Sequence, residues 1–326
     1  MNKPTMRNNI VVCGLGNHAE KNILPAIVES KELNLYGVNT RNKDVLNAIA
    51  EKYRCLSFND YNGVLNDKNV DIIYLSTPPG THYILGEKAL LSGKHLWTEK
   101  PITIDLKEAQ HLIALASNKN LSLCEGLMYL YHPHFYEVKK FLNQRLLGDI
   151  LLISSKFSLP KMSNSGFRFL KSKGGSCLYD VGIYPISLIL NLFPKSEIIV
   201  KDSEIVFGQS SDTDISGSCI LIIDSSIHCY LNWSYNVSYR NELDIWGNKS
   251  SLFTKKIFSK DRDYLPSLII SDSFGDIDKI ELKRSNHFAS MLNFFESTIN
   301  DKGAADQQRS EINRLAEFLK EIRDKK

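Results

Sequence analysis

The hexapeptide Gly14-Leu15-Gly16-Asn17-His18-Ala19 constrains this chain more than any other feature. It follows the apolar run Ile10-Val11-Val12-Cys13 and precedes a helical stretch over 18–30. It fits G-x-G-x-x-[GA] at a strand–helix junction. In that setting the first glycine permits a tight turn and the second lets the backbone approach a pyrophosphate. Ala19 is small enough for the helix to pack on the strand. The helix start adds unpaired N–H groups and the positive end of its dipole. Gly14, Gly16, Asn17 and His18 are therefore the expected phosphate-binding residues of a dinucleotide site.

The residues that follow repeat the same alternation. Leu33 to Val38 reads as a second strand, and Val45, Ala48, Ile49 and Tyr53 follow at helical spacing. Asp71 to Ser76 is a further strand, ended by Thr77-Pro78-Pro79-Gly80, and a helix is expected from Thr81 to Leu91. His95-Leu96-Trp97 is a short strand. Asp105 is placed to cap a helix, with Glu108 completing a capping box and Leu106, Ala109, Leu112, Ile113 and Ala116 on its apolar face. Leu121 to Cys124 closes the series. Such alternation implies βαβ units and a doubly wound parallel sheet, an α/β Rossmann domain over 1–126.

After about residue 126 the pattern changes. A helix is expected from Pro133 to Arg145, then strands over 149–159, 196–207, 215–223, 226–235 and 241–246. Ile227, Cys229, Leu231, Trp233 and Tyr235 alternate with His228, Tyr230, Asn232 and Ser234, the period of a half-buried strand. Two helices, about 286–300 and 305–323, end the chain. The predicted second domain, 127–326, is thus α/β with an antiparallel or mixed sheet.

Charge and cysteines narrow the function classes. The net charge is +3 and no basic block is present, which argues against a nucleic-acid partner. No signal peptide or membrane span is expected. The six cysteines show no metal-ligand spacing and read as buried reduced thiols of a cytoplasmic protein. His132-Pro133-His134 reads as a packing and helix-start element rather than a metal pair, and no metal site is expected.

The end of the second strand chooses between cofactors. NAD binders usually place a carboxylate there for the ribose 2′-hydroxyl. This chain has Asn39-Thr40-Arg41-Asn42. Thr40 can donate to a 2′-phosphate, and Arg41 can pair with it and stack on adenine, so NADP(H) is expected over NAD(H). Lys100, in Glu99-Lys100-Pro101, follows the short strand ending at Trp97, on the edge where open α/β sheets bind ligands. Pro101 could be cis.

The segments GLGNHA, STPPGTHY, WTEKPIT, EGLMYLYHP and GGSCLYDVGIYP, in this order, resemble the Gfo/Idh/MocA oxidoreductase family over nearly the whole chain. The resemblance implies a second domain with a large open, mostly antiparallel sheet that binds substrate and mediates oligomerisation, Lys100 near the nicotinamide, and a second catalytic group from the DVGIYP helix. Many members have histidine where this chain has Tyr184. The tyrosine form resembles the branch of nucleotide-sugar C-3 ketoreductases and dihydrodiol or xylose dehydrogenases, which mostly use NADP(H).

In that light Tyr184 is the expected proton donor, Lys100 its electrostatic partner, and Asp180, four residues before Tyr184, an orienting group. Glu99 is expected to anchor the cofactor ribose or Lys100. Ser76, Thr77, Pro78 and His82 are expected along the cofactor, and Arg168, Tyr184 and Tyr235 toward substrate. Trp233 is expected in the core. The implied activity is NADPH-dependent reduction of a keto sugar, a nucleotide-linked 3-keto-6-deoxyhexose. The alternatives are an aldose or trans-dihydrodiol dehydrogenase, an NAD(P)-binding sensor, and an NAD-dependent glycosidase. A homodimer or homotetramer is implied as well.

Overall fold

The computed structural model of the chain describes residues 7–161, 166–208, 212–275 and 277–325. These divide into two compact units, Met1–Leu127 with Phe288–Asn313, and Met128–His287 with Arg314–Lys326.

The first unit is built on six parallel strands. In chain order it runs β1 (Asn8–Cys13), α1 (Leu24–Glu29), β2 (Leu33–Asn39), α2 (Lys43–Tyr53), β3 (Leu56–Phe58), α3 (Tyr61–Asn66), β4 (Ile72–Leu75), α4 (His82–Leu91), β5 (His95–Glu99), α5 (Leu106–Asn118) and β6 (Leu123–Gly126). The strand order β3-β2-β1-β4-β5-β6 reverses direction between β1 and β4, and such a switch point opens a crevice at the carboxyl ends of the strands. Ile10, Val11, Val12, Ile72, Ile73 and Leu75 are fully buried, as expected of strands covered on both faces.

Local chemistry sets the boundaries. Asn42 accepts from Asp44 N and Val45 N at the start of α2, and Arg54 ends that helix at φ 52°. Asp105 accepts from Lys107 N at 2.8 Å and Glu108 N at 3.3 Å, so it caps α5 as the sequence predicts. The expected buried stripe on α2 is shifted: Leu46, Ile49 and Ala50 face inward, whereas Ala48 is exposed. The helix after the glycine turn is continuous over 17–29, but its Ala19–Ile23 segment is a π-helical turn.

Residues 288–313 return to this unit rather than staying with the sheet that precedes them. Phe295 packs edge-on against Trp97 at 5.6 Å, and Thr298 Oγ1 lies 2.5 Å from Ser122 Oγ.

The second unit starts with α6 (Pro133–Asn143), β7 (Ile150–Leu159) and α7 (Ile183–Leu192). The strands β8 (Ile198–Phe207), β9 (Asp214–Ile223), β10 (Ile227–Tyr235), β11 (Arg240–Gly247), β12 (Ser250–Lys255), β13 (Ser267–Asp272) and β14 (Ile277–Glu281) follow. The chain ends with α8 (His287–Asn300) and α9 (Lys302–Asp324), whose last residues belong to this unit. The sheet order is β14-β13-β12-β11-β7-β10-β9-β8. Only β7 and β10 pair in parallel, so the sheet is mostly antiparallel as expected.

The predicted alternation along β10 holds: Cys229, Leu231, Trp233 and Tyr235 are buried, and His228, Tyr230 and Asn232 are exposed. The buried face carries α7. Gly182 makes this close approach possible, because a Cβ there would stand 2.8 Å from Trp233 Cδ2. An 18-residue window within Lys171–Leu192 reaches the mean hydropathy, 1.2, of a membrane span, but 83% of that window is buried within the protein. His132 starts α6 with Pro133 in the first turn, and its Nδ1 accepts from His134 N at 2.9 Å.

Candidate active site

The turn after β1 is built for a ligand. Gly14 sits at φ 95°, its N–H donates to Asn39 O at 2.8 Å, and a Cβ there would stand 2.5 Å from Ser76 O. The ends of β1, β2 and β4 therefore meet at one glycine. Gly16 is different: nothing lies within 4 Å of where its Cβ would stand. That open space is what close approach of a pyrophosphate to the backbone requires, so the turn fits the dinucleotide predicted for it. Asn17 is exposed beside it.

At the end of β2, Thr40 is half-buried and Arg41 exposed. The helix that follows is capped by Asn42, which leaves Arg41 outside the capping hydrogen bonds. No carboxylate stands at Asn39–Asn42 to meet a ribose 2′-hydroxyl. The set of donors suits a 2′-phosphate instead.

Three predicted residues converge on the turn after β5. His18 Nε2 lies 2.9 Å from Glu99 Oε1, and Asn22 Nδ2 lies 3.2 Å from His18 Nδ1. An amide donating to Nδ1 places the ring proton on Nε2, so His18 donates to Glu99. The buried Tyr74 hydroxyl donates to the same carboxylate oxygen at 2.6 Å. Burial alone would raise the Glu99 carboxyl, but His18, the Tyr74 hydroxyl and the charge of Lys100 together hold it below its ordinary value. An ionised Glu99 thus sits directly before Lys100, which is half-buried. The Lys100–Pro101 bond is cis.

Ser76, Thr77 and Pro78 are half-buried after β4. His82 is fully buried, with Nδ1 2.8 Å from Pro101 O and Nε2 2.9 Å from Thr77 O. Its ring shapes the Thr77 loop from within. Glu125, on β6, is a buried carboxyl that accepts from Ile102 N at 2.6 Å, and burial pushes it up to about 7. Tyr74 carries no motif, and Glu125 opens the EGLMYLYHP segment without being singled out in it; the one signal of each is an ionisable side chain in an apolar strand.

The second unit holds the other predicted group. The backbone before α7 is a π-helical turn over Leu178–Gly182, fixed at its start by Leu178 N donating to Asp214 Oδ2 at 2.7 Å. Tyr184 lies just beyond it in the first turn of α7, 6% exposed. Phe157, Phe258 and Tyr129 surround its ring at centroid distances of 5.0, 5.6 and 5.9 Å. The hydroxyl points to Met128 Sδ at 3.7 Å. A thioether is a weak acceptor, so this contact leaves the phenol its proton.

Asp180 is engaged from two sides. Arg168 Nε donates to its Oδ2 at 2.7 Å and the Tyr235 hydroxyl donates to the same oxygen at 2.9 Å. Tyr235 is 2% exposed, and burial and Asp180 both raise its hydroxyl above the ordinary tyrosine value. Within this unit, then, Tyr235 braces Asp180, and Arg168 presents its remaining guanidinium nitrogens beside them. Among the described residues no group of three or more His, Cys, Asp or Glu side chains is arranged to hold a metal ion.

Comparison with known proteins is consistent with this geometry. Residues 8–127 match the profile of an oxidoreductase family with an NAD-binding Rossmann fold, and residues 135–253 match the GFO/IDH/MocA C-terminal domain. The chain is 25% identical to a dTDP-3,4-didehydro-2,6-dideoxy-alpha-D-glucose 3-reductase of Saccharopolyspora spinosa, over 92% of this chain and 89% of the relative. A trans-1,2-dihydrobenzene-1,2-diol dehydrogenase of Danio rerio is 27% identical over 53% of this chain and 50% of its own. The fold superposes on the crystal structure of a 3-ketoreductase from Actinomadura kijaniata, in complex with NADP and TDP-benzene. The TM-score is 0.93 at 23% identity, with 98% of this chain and 97% of that chain covered.

Proposed function

The chain belongs to the GFO/IDH/MocA oxidoreductase family, and we propose that it uses NADPH to reduce the carbonyl of a nucleotide-linked 3-keto-6-deoxyhexose. The observation that carries this reading is coverage. The sugar-nucleotide 3-reductases match this chain almost end to end, whereas the dihydrodiol dehydrogenase matches about half of it.

Gly14, Gly16, Asn17 and the helix start hold the pyrophosphate, and Thr40 with Arg41 holds the 2′-phosphate. Ser76, Thr77 and Pro78 line the nicotinamide side, and the His18–Glu99 pair anchors the ribose end and Lys100. NADPH, when bound, supplies the hydride. As the carbonyl carbon takes it, Tyr184 donates its proton to the oxygen, giving the alcohol. Lys100 stabilises the charge that grows on that oxygen and then on the tyrosinate, which recovers its proton from solvent. Asp180, held by Arg168 and Tyr235, orients the substrate.

A second copy of the chain is the expected partner. Ile199, Tyr230 and Trp246 share the face of the eight-stranded sheet opposite α7 by register and are 48, 40 and 51% exposed. The same face carries the exposed Asp202, Glu204 and Asn232, and this mixture of apolar and polar groups fits a homodimer or homotetramer contact. The free cysteines fit a cytoplasmic location.

Steady-state NADPH oxidation tests the function. Turnover with a thymidine or uridine diphosphate 3-keto sugar supports it. Turnover of free xylose or a trans-dihydrodiol with NADP, and none with any keto sugar nucleotide, would replace it with the dehydrogenase reading.

A further inference from the structure

The peptide that follows Pro101 is gripped at both ends by buried ionisable side chains. Its carbonyl, Pro101 O, lies 2.8 Å from His82 Nδ1, and its N–H, on Ile102, donates to Glu125 Oε1 at 2.6 Å. His82 reaches it from the first turn of α4. Glu125 reaches it from β6, where it stands opposite Thr98 of β5. Neither side chain is open to a ligand, since His82 is 0% and Glu125 5% exposed.

We propose that His82 and Glu125 are positioning residues, which set the place and charge environment of Lys100 by clamping the peptide just beyond it. This rests on the role given to Lys100 above. The clamp works as one hydrogen-bonded chain. A carbonyl that accepts a hydrogen bond polarises its amide, and the N–H at the other end becomes a better donor. His82 faces two acceptors, Pro101 O and Thr77 O, so only its imidazolium form satisfies both. Glu125 accepts an N–H, which favours its carboxylate. Burial lowers His82 and raises Glu125 to about 7, so near neutral pH the imidazole is neutral and donates to one of its two acceptors, while the Glu125 carboxyl is poised between its two forms.

Lys100 belongs to the same electrostatic system. Its ammonium favours the Glu125 carboxylate and opposes the His82 imidazolium, while Glu99 favours that imidazolium. Burial works against charge on both clamp residues, raising Glu125 and lowering His82. The charge of Lys100 therefore lowers the Glu125 carboxyl against the rise that burial imposes, and the carboxylate form makes the stronger bond to Ile102 N–H.

Glu125→Gln is the informative variant, because the amide keeps an acceptor oxygen for Ile102 N–H and removes only the charge. The expected result is a kcat about tenfold lower, a fraction of what a misplacement of ~1 Å at a reacting group can cost, with NADPH affinity unchanged. His82→Asn keeps a donor near the Nδ1 position and should retain more activity than His82→Ala. Wild-type kcat in Glu125→Gln would overturn the proposal, since a purely structural hydrogen bond survives that change. A second readout needs no turnover: isotope-edited NMR of the Glu125 carboxyl in the whole protein, assigned by its loss in Glu125→Gln. Its titration midpoint should rise when Lys100 is changed to Met, and an unmoved midpoint overturns the coupling. Absence of keto-sugar reduction by the wild type would sink the reductase reading alone, because the carboxyl titration still decides the clamp.

Discussion

Two glycines separated by one residue, Gly14 and Gly16, should respond to alanine in opposite ways. At Gly14 the backbone stands at φ 95°, and an alanine held there costs about 1–3 kcal/mol in strain. The new Cβ would also stand 2.5 Å from Ser76 O, 2.7 Å from Ser76 C and 2.9 Å from Thr77 Cγ2. Two of these are backbone atoms, and moving them apart adds about 1–3 kcal/mol. Gly14→Ala should therefore destabilise the protein by about 2–6 kcal/mol, a large part of the ~5–15 kcal/mol of an ordinary domain.

Gly16 has no positive φ and no atom within 4 Å of its Cβ position. Gly16→Ala should leave stability within about 0.5 kcal/mol of wild type, or raise it slightly. Its Cβ fills space that the cofactor needs, so NADPH affinity should fall at least about tenfold. Urea unfolding of both variants, with NADPH titration followed by nucleotide fluorescence, reads both effects. A Gly14→Ala protein as stable as wild type would refute the packing argument. A Gly16→Ala protein with full NADPH affinity would refute the placement of the pyrophosphate.

Three further outcomes follow from the site and its surroundings. Tyr184→Phe keeps the aromatic packing and loses the proton, so kcat should fall at least about 10²-fold while NADPH still binds; near-normal turnover would remove Tyr184 as the donor. Arg41→Ala should weaken NADPH by about 1.5–3 kcal/mol and NADH far less, and equal losses measured by calorimetry would remove the 2′-phosphate contact. Lys260 is buried and its amine is lowered from 10.5 to about 7. Between those values the unfolded chain holds a proton that the native protein does not, so wild-type stability should rise with pH relative to Lys260→Met. Urea midpoints at two pH values inside that window check the sign, and a parallel pair of curves would contradict it.

The first unit was legible because its central strands carry apolar runs, Ile10–Cys13 and Ile72–Leu75, that stop at turn residues. The pieces that were not legible lack that contrast. β3 has three residues, none of them buried, and α3 contains Gly63 and buries only Val64. β14 is an edge strand and β13 its neighbour, and partial exposure blurs the alternation in both. The return of residues 288–313 to the first unit left no mark in the sequence, because an apolar helix face shows that it is covered but not by what.

The site divides along the same line. Gly14, Gly16, Thr40, Arg41, Lys100 and Tyr184 stood out because motif, strand end and resemblance singled them out. The surroundings that set their chemistry did not. Asp180 lies in a π-helical turn that ends just before Tyr184, and Arg168 and Tyr235 hold its carboxylate. His82 reads as a loop residue along a cofactor, yet it is buried beneath that loop. Glu125 looks like one more strand position, because a hydrogen bond across β5 and β6 has no sequence spacing to betray it.

The central claim is that hydride passes from NADPH to the sugar carbon. Supplying NADPH deuterated at C4 with a thymidine diphosphate 3-keto-6-deoxy sugar, and reading the product by mass spectrometry and NMR, tests it directly. One deuterium is expected at C3 of the product sugar, and this product is lost in Tyr184→Phe. Recovery of the keto sugar unreduced, with NADPH unconsumed, would contradict it.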